Sequence, residues 1–379
     1  MKIVYFIDGL NPGGVENVVL SIANYMSAFP RNHISVVCLY KDQNNIVESF
    51  DKRVNVFFLP FTAEKKNFFY YIKYASLLSH LLKKLAPDII HAHNSSGSLL
   101  YLALGAKMSG AKAKYIRTMH FAGFFLLRQT MVDRVRFLVD KVASEIMNIT
   151  IVAVSPIIFD LVRNLYPRNR PLCITNGVDA DNKYNPINYR SNVRVELNIP
   201  INHKVAIYVA RMVAGKNHLT LLKAWKIISN KMSDVHLILL GDGPLRSDIC
   251  NYINANNMEA SVYCTSTEKN VAEYMSAADI AVLTSESEGF SLSLIEGMSM
   301  GLPTIVSDIP SFKDIVDDFE TGIFYSTYDE VDLAGKIELL MKDKDLRLRL
   351  GKNARHCILN NYTIEHMLEK YKSLYDTII

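Results

Sequence analysis

The chain has 379 residues, 49% apolar and 21% charged, a mix that excludes a disordered chain and, at this length, a single ordinary core. The net charge of +4 conceals a split: residues 1–180 carry 21 Lys+Arg against 12 Asp+Glu (+9), and residues 181–379 carry 21 against 26 (−5). A basic half is expected to meet something anionic, and five scattered cysteines without a Cys-x-x-Cys pair exclude a disulfide framework or zinc ribbon and indicate reduced thiols in a cytoplasmic protein.

The opening MKIVYFIDGL has one lysine, a short apolar run and Asp8, and reads as a first strand rather than a signal peptide. Further apolar runs follow at HISVVCL (33–39), VNVFFL (54–59), DIIHAH (88–93), AKYIRTM (113–119) and ITIVAV (149–154). Between them lie segments with helical spacing, among them Val15–Phe29 and Leu126–Ile146. Near-continuous apolar strands alternating with helices predict a parallel sheet covered on both faces. Residues 180–203 are rich in Asn, hold prolines and lose periodicity, which predicts an interdomain linker. The alternation restarts with KVAIYVA (204–210), VHLILL (235–240), SVYCT (261–265), DIAVL (279–283) and PTIVS (303–307). The expected domains are therefore 1–179 and 204–352, with 353–379 as a helix that crosses back to the first. No run is apolar for long enough to span a bilayer.

Open α/β sheets bind ligands outside the carboxyl ends of their strands, so the residues just after each strand carry the argument. Pro12–Glu16 follows strand one and opens a helix. Gly13 and Gly14 let a ligand approach the backbone and the free N–H groups of the helix end, or they simply make a tight turn. The segment is not GxGxxG, so a dinucleotide fingerprint is absent. His91 and His93 share one strand face; a zinc pair lacks a third ligand, and His91 is read as buried with His93 facing the ligand cleft. His120 ends its strand, where it is either structural or a donor to a sugar hydroxyl or phosphate. Arg211 and Lys216 bracket the loop after the first strand of the second half. They suit a pyrophosphate, or else form a solvated basic loop, and Asn217 is placed to cap the next helix. Gly241-Asp242-Gly243-Pro244 reads first as a strand-to-helix turn, and second as a place where a planar base lies on the backbone. In SESEGFSLSLIEG, Ser293 and Glu296 match a capping box. The same geometry offers a helix N-terminus to a phosphate, with Glu288 and Glu296 able to accept from hydroxyls at the ligand's two ends. A phosphate flanked by two polyols is a nucleotide sugar.

In this order, GGVE (13–16), DIIHAH (88–93), RTMH (117–120), ITNGVD (174–179), ARMVAGKN (210–217), LLGDGP (239–244) and ADIAVLTSESEGFSLSLIEGMSMGLPTIVSD (278–308) resemble the retaining glycosyltransferases of family 4. The resemblance implies an α/β GT-B fold, two Rossmann-like doubly wound domains facing across a cleft. By position it implies Arg211 and Lys216 on the donor pyrophosphate and Glu288 on the donor sugar. It further implies backbone contacts to the donor at Gly289, Phe290, Ser291 and Leu292, Glu296 on the ribose, Gly13 and Gly14 near the diphosphate and acceptor, Gly241 beside the base, and His120 at the reaction centre. It implies no cofactor and no metal, a UDP-linked donor by family habit, and front-face substitution with retention. One departure stands out: Thr265-Ser266-Thr267 replaces the apolar residue and glycine common after this strand, which puts base contacts there in doubt.

The +9 half would hold the acceptor. Residues 67–85, with Lys65, Lys66, Lys73, Lys83 and Lys84, and residues 121–142, with Arg128, Arg134, Arg136 and Lys141, read either as basic amphipathic helices on an anionic membrane or as ordinary sheet-covering helices. The expected partner is a lipid-pyrophosphate-linked glycan at the inner face of a bacterial inner membrane, in O-antigen, capsule or exopolysaccharide assembly. Rivals are a soluble sugar or protein acceptor, a sugar-nucleotide epimerase, and a non-catalytic nucleotide-sugar-binding regulator. Dispersed basic residues without a reader motif argue against nucleic acid.

Overall fold

A computed structural model describes every residue except 12, 41–45, 61–67, 94–95, 121–129, 190–191 and 267–269, and the side chains of 68–71 and 96–98 likewise fall outside the description. The chain forms two compact units, Met1–Asn176 with Met367–Ile379, and Gly177–His366.

The first unit is built on a seven-stranded sheet in the order β3-β2-β1-β4-β5-β6-β7. Its strands are β1 (Lys2–Ile7), β2 (His33–Cys38), β3 (Val54–Phe58), β4 (Ile89–Ala92), β5 (Lys114–Met119), β6 (Thr150–Ala153) and β7 (Leu172–Cys173). Every pairing is parallel, with Ile3 opposite Ile34 on β2 and Ile89 on β4. The sheet core is closed by helices Gly14–Ser27, Phe68–Leu85, Ser96–Ser109, Met131–Ile146 and Pro156–Leu165. Helix Phe68–Leu85 buries Tyr74, Ala75, Leu78 and Leu82, the usual apolar stripe of a sheet-covering helix. The C-terminal helix Ile364–Ile378 buries Met367, Leu368, Tyr371, Leu374 and Tyr375, a single helical face.

The second unit carries a six-stranded parallel sheet, β10-β9-β8-β11-β12-β13. Its strands are β8 (Lys204–Val209), β9 (Val235–Leu240), β10 (Val262–Thr265), β11 (Ile280–Leu283), β12 (Thr304–Ser307) and β13 (Gly322–Tyr325). Residues of β9, β11 and β12 are buried throughout, as a sheet covered on both faces requires. The stretch 180–203, expected between domains, packs into this unit. Tyr184, Val193 and Ile199 are buried, and the Arg194 guanidinium donates to the Ala277 carbonyl (2.8 Å), the His203 carbonyl (2.8 Å) and the Asp279 carboxylate (2.9 Å). Among the described residues, no helix is long and apolar enough to cross a membrane.

Each sheet has the doubly wound order, in which chain direction across the sheet reverses once. The reversal lies between β1 and β4 in the first unit and between β8 and β11 in the second.

Candidate functional site

In the second unit the chain leaves the adjacent strands β8 and β11 at the switch point, where open α/β sheets bind ligands at their carboxyl ends. The loops are pinned together by hydrogen bonds. The Tyr208 hydroxyl (2.7 Å) and the Thr284 hydroxyl (3.0 Å) both donate to the Lys216 carbonyl, and the Glu286 N–H donates to the Gly215 carbonyl (2.9 Å). The Ser307 hydroxyl from β12 holds the Ser285 carbonyl at 2.5 Å. Onto this frame the Lys216 ammonium and the Glu288 carboxylate form an ion pair, and the Ser285 hydroxyl donates to the same Glu288 oxygen at 2.7 Å. The pair is half-buried, 24% and 12% exposed at its side chains, so its charges are partly withdrawn from competing water. One point thus presents a cation for a phosphate and a carboxylate for hydroxyls. Arg211, just past β8, is exposed and makes no ion pair among the described residues.

Helix Leu292–Ser299 opens beside this pair. Its N-cap is Ser291, whose hydroxyl accepts from the Leu294 N–H at 3.4 Å. The expected Ser293–Glu296 capping box is therefore corrected: Ser293 already lies inside the helix, and Glu296 is a turn too deep to reach its start. Glu296 meets the Tyr184 hydroxyl instead. Burial pushes the Glu296 carboxyl above its ordinary range, and the Tyr184 hydrogen bond partly opposes this. Gly289 and Ser291 are buried at the approach to the helix, and the Phe290 ring lies 5.9 Å from that of Tyr362. Asn217 precedes helix His218–Ser229 at φ 50°, but its side chain makes no capping bond; its Oδ1 accepts from the Thr220 hydroxyl at 3.0 Å. Gly241 has a structural explanation: a Cβ there would collide with the Ala210 carbonyl oxygen, so the glycine lets the β9 turn lie against the β8 exit loop. Thr267 lies outside the described residues.

In the first unit Gly13 is the N-cap of helix Gly14–Ser27, and the Glu16 carboxylate folds against it in the first turn. His91 and His93 point to one face of the sheet, but both are buried, at 0% and 4% exposure, which corrects the expectation that His93 faces the ligand. His91 Nδ1 pairs with the Tyr375 hydroxyl (2.7 Å) and Nε2 with the Thr118 hydroxyl (2.8 Å), so both nitrogens have protein partners. His93 Nδ1 pairs with His120 Nε2 at 3.0 Å. His120 is half-buried at the end of β5, and burial pushes its imidazole down to about 4. It is therefore neutral at neutral pH, with Nε2 paired with His93 and no hydrogen bond to Nδ1 from the described residues. Among the described residues, no group of three or more His, Cys, Asp and Glu could hold a metal ion.

The structure thus brings Lys216, Glu288 and the start of helix Leu292–Ser299 together and sets Glu296 on Tyr184. Gly13, Gly14 and His120 stand in the other unit. Sequence reasoning missed Ser285, Tyr184 and the His93–His120 link. Ser285 lies three residues before Glu288, a spacing that lets a hydroxyl turn back on a loop carboxylate. Tyr184 carries no signal of its own.

Two Rossmann-like units that share one doubly wound order, the first with an added seventh strand, and a cation–carboxylate pair at the second switch point define a GT-B glycosyltransferase. Residues 12–182 match Glycosyltransferase Family 4 and residues 190–357 match Glycosyl transferases group 1, and the chain belongs to this family. It is 24% identical to the N-acetyl-alpha-D-glucosaminyl L-malate synthase of Bacillus anthracis, with 86% of this chain and 85% of the relative covered. It is 26% identical to the UDP-Gal:alpha-D-GlcNAc-diphosphoundecaprenol alpha-1,3-galactosyltransferase of Escherichia coli, over 96% of this chain and 93% of the relative. The fold matches that of Anabaena Alr3699/HepE, solved with UDP and glucose, at a TM-score of 0.81 and 18% identity over the whole of both chains.

Proposed function

We propose that the chain transfers a hexose, with retention of configuration, from a UDP-linked donor to a lipid-pyrophosphate-linked saccharide at the inner face of a bacterial inner membrane, as one step of surface polysaccharide assembly. The observation that carries this reading is the Lys216–Glu288 pair, pinned at the β8/β11 switch point beside a helix N-terminus. A donor pyrophosphate would take Lys216 and Arg211, freeing Glu288 to accept from sugar hydroxyls while Ser285 keeps it aimed. Glu296, oriented by Tyr184, would accept from the ribose. The bond from the sugar's anomeric carbon to the leaving phosphate breaks as a bond to the acceptor hydroxyl forms on the same face, and the acceptor proton passes to the departing phosphate oxygen. Negative charge grows on that phosphate. Arg211, Lys216 and the helix end would stabilise it as fixed positive groups, so the step asks for no metal. His120 would act as a neutral hydrogen-bonding group near the sugar. The lipid-linked acceptor is supported by the Escherichia coli relative; the Bacillus anthracis relative, named for L-malate, favours a second reading with a small soluble acceptor.

The test is donor hydrolysis by the purified protein across UDP- and GDP-sugars without acceptor. One donor should be cleaved, and Glu288→Ala and Lys216→Ala should each lower the rate by roughly 10²-fold or more. If no donor binds at all, the donor-site assignment is wrong.

A further inference from the structure

Helix Met131–Ile146 is inside out. Plotted at about 100° per residue, Met131, Val132, Val135, Leu138, Val139, Val142 and Ile146 fall within an arc of about 120° on one face. All seven are exposed, from 40% for Val139 to 75% for Met131 and Ile146. The face turned to the protein buries Asp140 and Ser144, and its one large apolar side chain, Phe137, is half-buried with its ring 6.0 Å from that of Tyr166. It is fastened by polar bonds: the Arg117 guanidinium donates to both Asp140 carboxylate oxygens (2.8 and 2.9 Å), and the Tyr166 hydroxyl donates to Asp140 at 2.6 Å. Helix Phe68–Leu85 of the same unit does the reverse and buries Tyr74, Ala75, Leu78 and Leu82. An aliphatic face this large, turned outward by a buried ion pair, is built to be covered.

The flanking charge says by what. Arg134 and Lys141 border the arc on one side, and among the described residues neither is ion-paired. Arg136 borders it on the other side. The acidic residues nearby are engaged, Asp133 with Arg136 and Glu145 with Arg168. The adjacent helix Ser96–Ser109 adds the exposed Leu104 and Met108, and its one charged residue is Lys107. Aliphatic side chains rimmed by three cations, two of them without an ion pair among the described residues, fit the boundary between acyl chains and anionic headgroups.

We propose that helix Met131–Ile146 seats the protein in the interface of an anionic lipid bilayer, its exposed aliphatic arc among the acyl chains and Arg134, Arg136 and Lys141 on lipid phosphates. This deepens the proposed function and rests on it only for the acceptor's location. The test is co-sedimentation with phosphatidylcholine vesicles holding 0% or roughly 30% phosphatidylglycerol, run beside UDP-sugar binding. The wild type should sediment with the anionic vesicles, less in high salt, and weakly with the neutral ones. Val135→Gln with Leu138→Gln should cut the bound fraction at least several-fold. Arg134→Gln with Lys141→Gln should remove the dependence on anionic lipid, which guards against a folding defect in the first variant. Donor binding should be unchanged in both. No vesicle binding by the wild type, or binding that both variants retain, overturns the proposal and leaves the transferase reading standing. A dimer in sedimentation velocity that the aliphatic substitutions dissolve, without vesicle binding, also overturns it in favour of a second copy. Vesicle binding without any donor binding would uphold the surface and sink the transferase reading instead.

Discussion

His91, His93 and His120 form a run of imidazoles whose protonation burial opposes, His120 being pushed down to about 4. An unfolded histidine takes up its proton near 6.5, so the unfolded chain binds more protons as the pH falls between these values. The stability His120 contributes is therefore complete above about 6.5 and lost as the pH drops towards about 4, and burial of His91 and His93 acts in the same direction. The melting temperature should fall on acidification through that window, and His120→Gln should make the fall shallower; an unchanged slope would mean His120 protonates freely in the folded state. Lys216 and Glu288 were legible because doubly wound sheets concentrate ligand groups at strand ends. The depth of His93 was not, because what covers its neighbour His91 is Tyr375, a residue far along the chain. Ser285 and Tyr184 escaped for the same reason: their meaning lies in a partner, not in a pattern.

The strand runs were readable because buried parallel strands are near-continuously apolar. β7, Leu172–Cys173, was not, being two residues long, and β13, Gly322–Tyr325, escaped although it is as long as β11 and β12. Helix Met131–Ile146 is the more instructive case. Its spacing announces an amphipathic helix, but the usual rule turns the apolar side inward. The clue to the reversal is Arg117, a cation within β5 that is 2% exposed and must find a buried counter-ion, which only the polar face of a covering helix provides. Asp140→Ala would strand that cation and should cost about 3–5 kcal/mol, a drop of roughly 6–20 °C in the first unit's melting temperature. If the melting temperature hardly moves, water already reaches Arg117 and the helix is held by something else.

Over the whole molecule, the repeated strand–helix alternation disclosed two doubly wound units. The return of the chain's last described helix to the first unit was expected from the sequence, but the course of the chain between units was not readable, because composition cannot show that Tyr184 packs beside Glu296 or that the return begins only at Met367. Removing Met367–Ile379 takes Tyr371 and Tyr375 off Thr118 and His91. With about 1.5–3 kcal/mol for each large apolar side chain buried there, the first unit should lose its cooperative unfolding and its amide protection while the second keeps both. Native-like hydrogen exchange in β4 and β5 of the truncated chain would refute this.

That discontinuity also sets an order of assembly during synthesis. Residues 177–366 leave the ribosome as one uninterrupted stretch, so the second unit has all it needs before residues 367–379 emerge. The first unit is translated earlier yet completed later. Its histidine-bearing face stays uncovered until residues 367–379 emerge and bring Tyr375 onto His91.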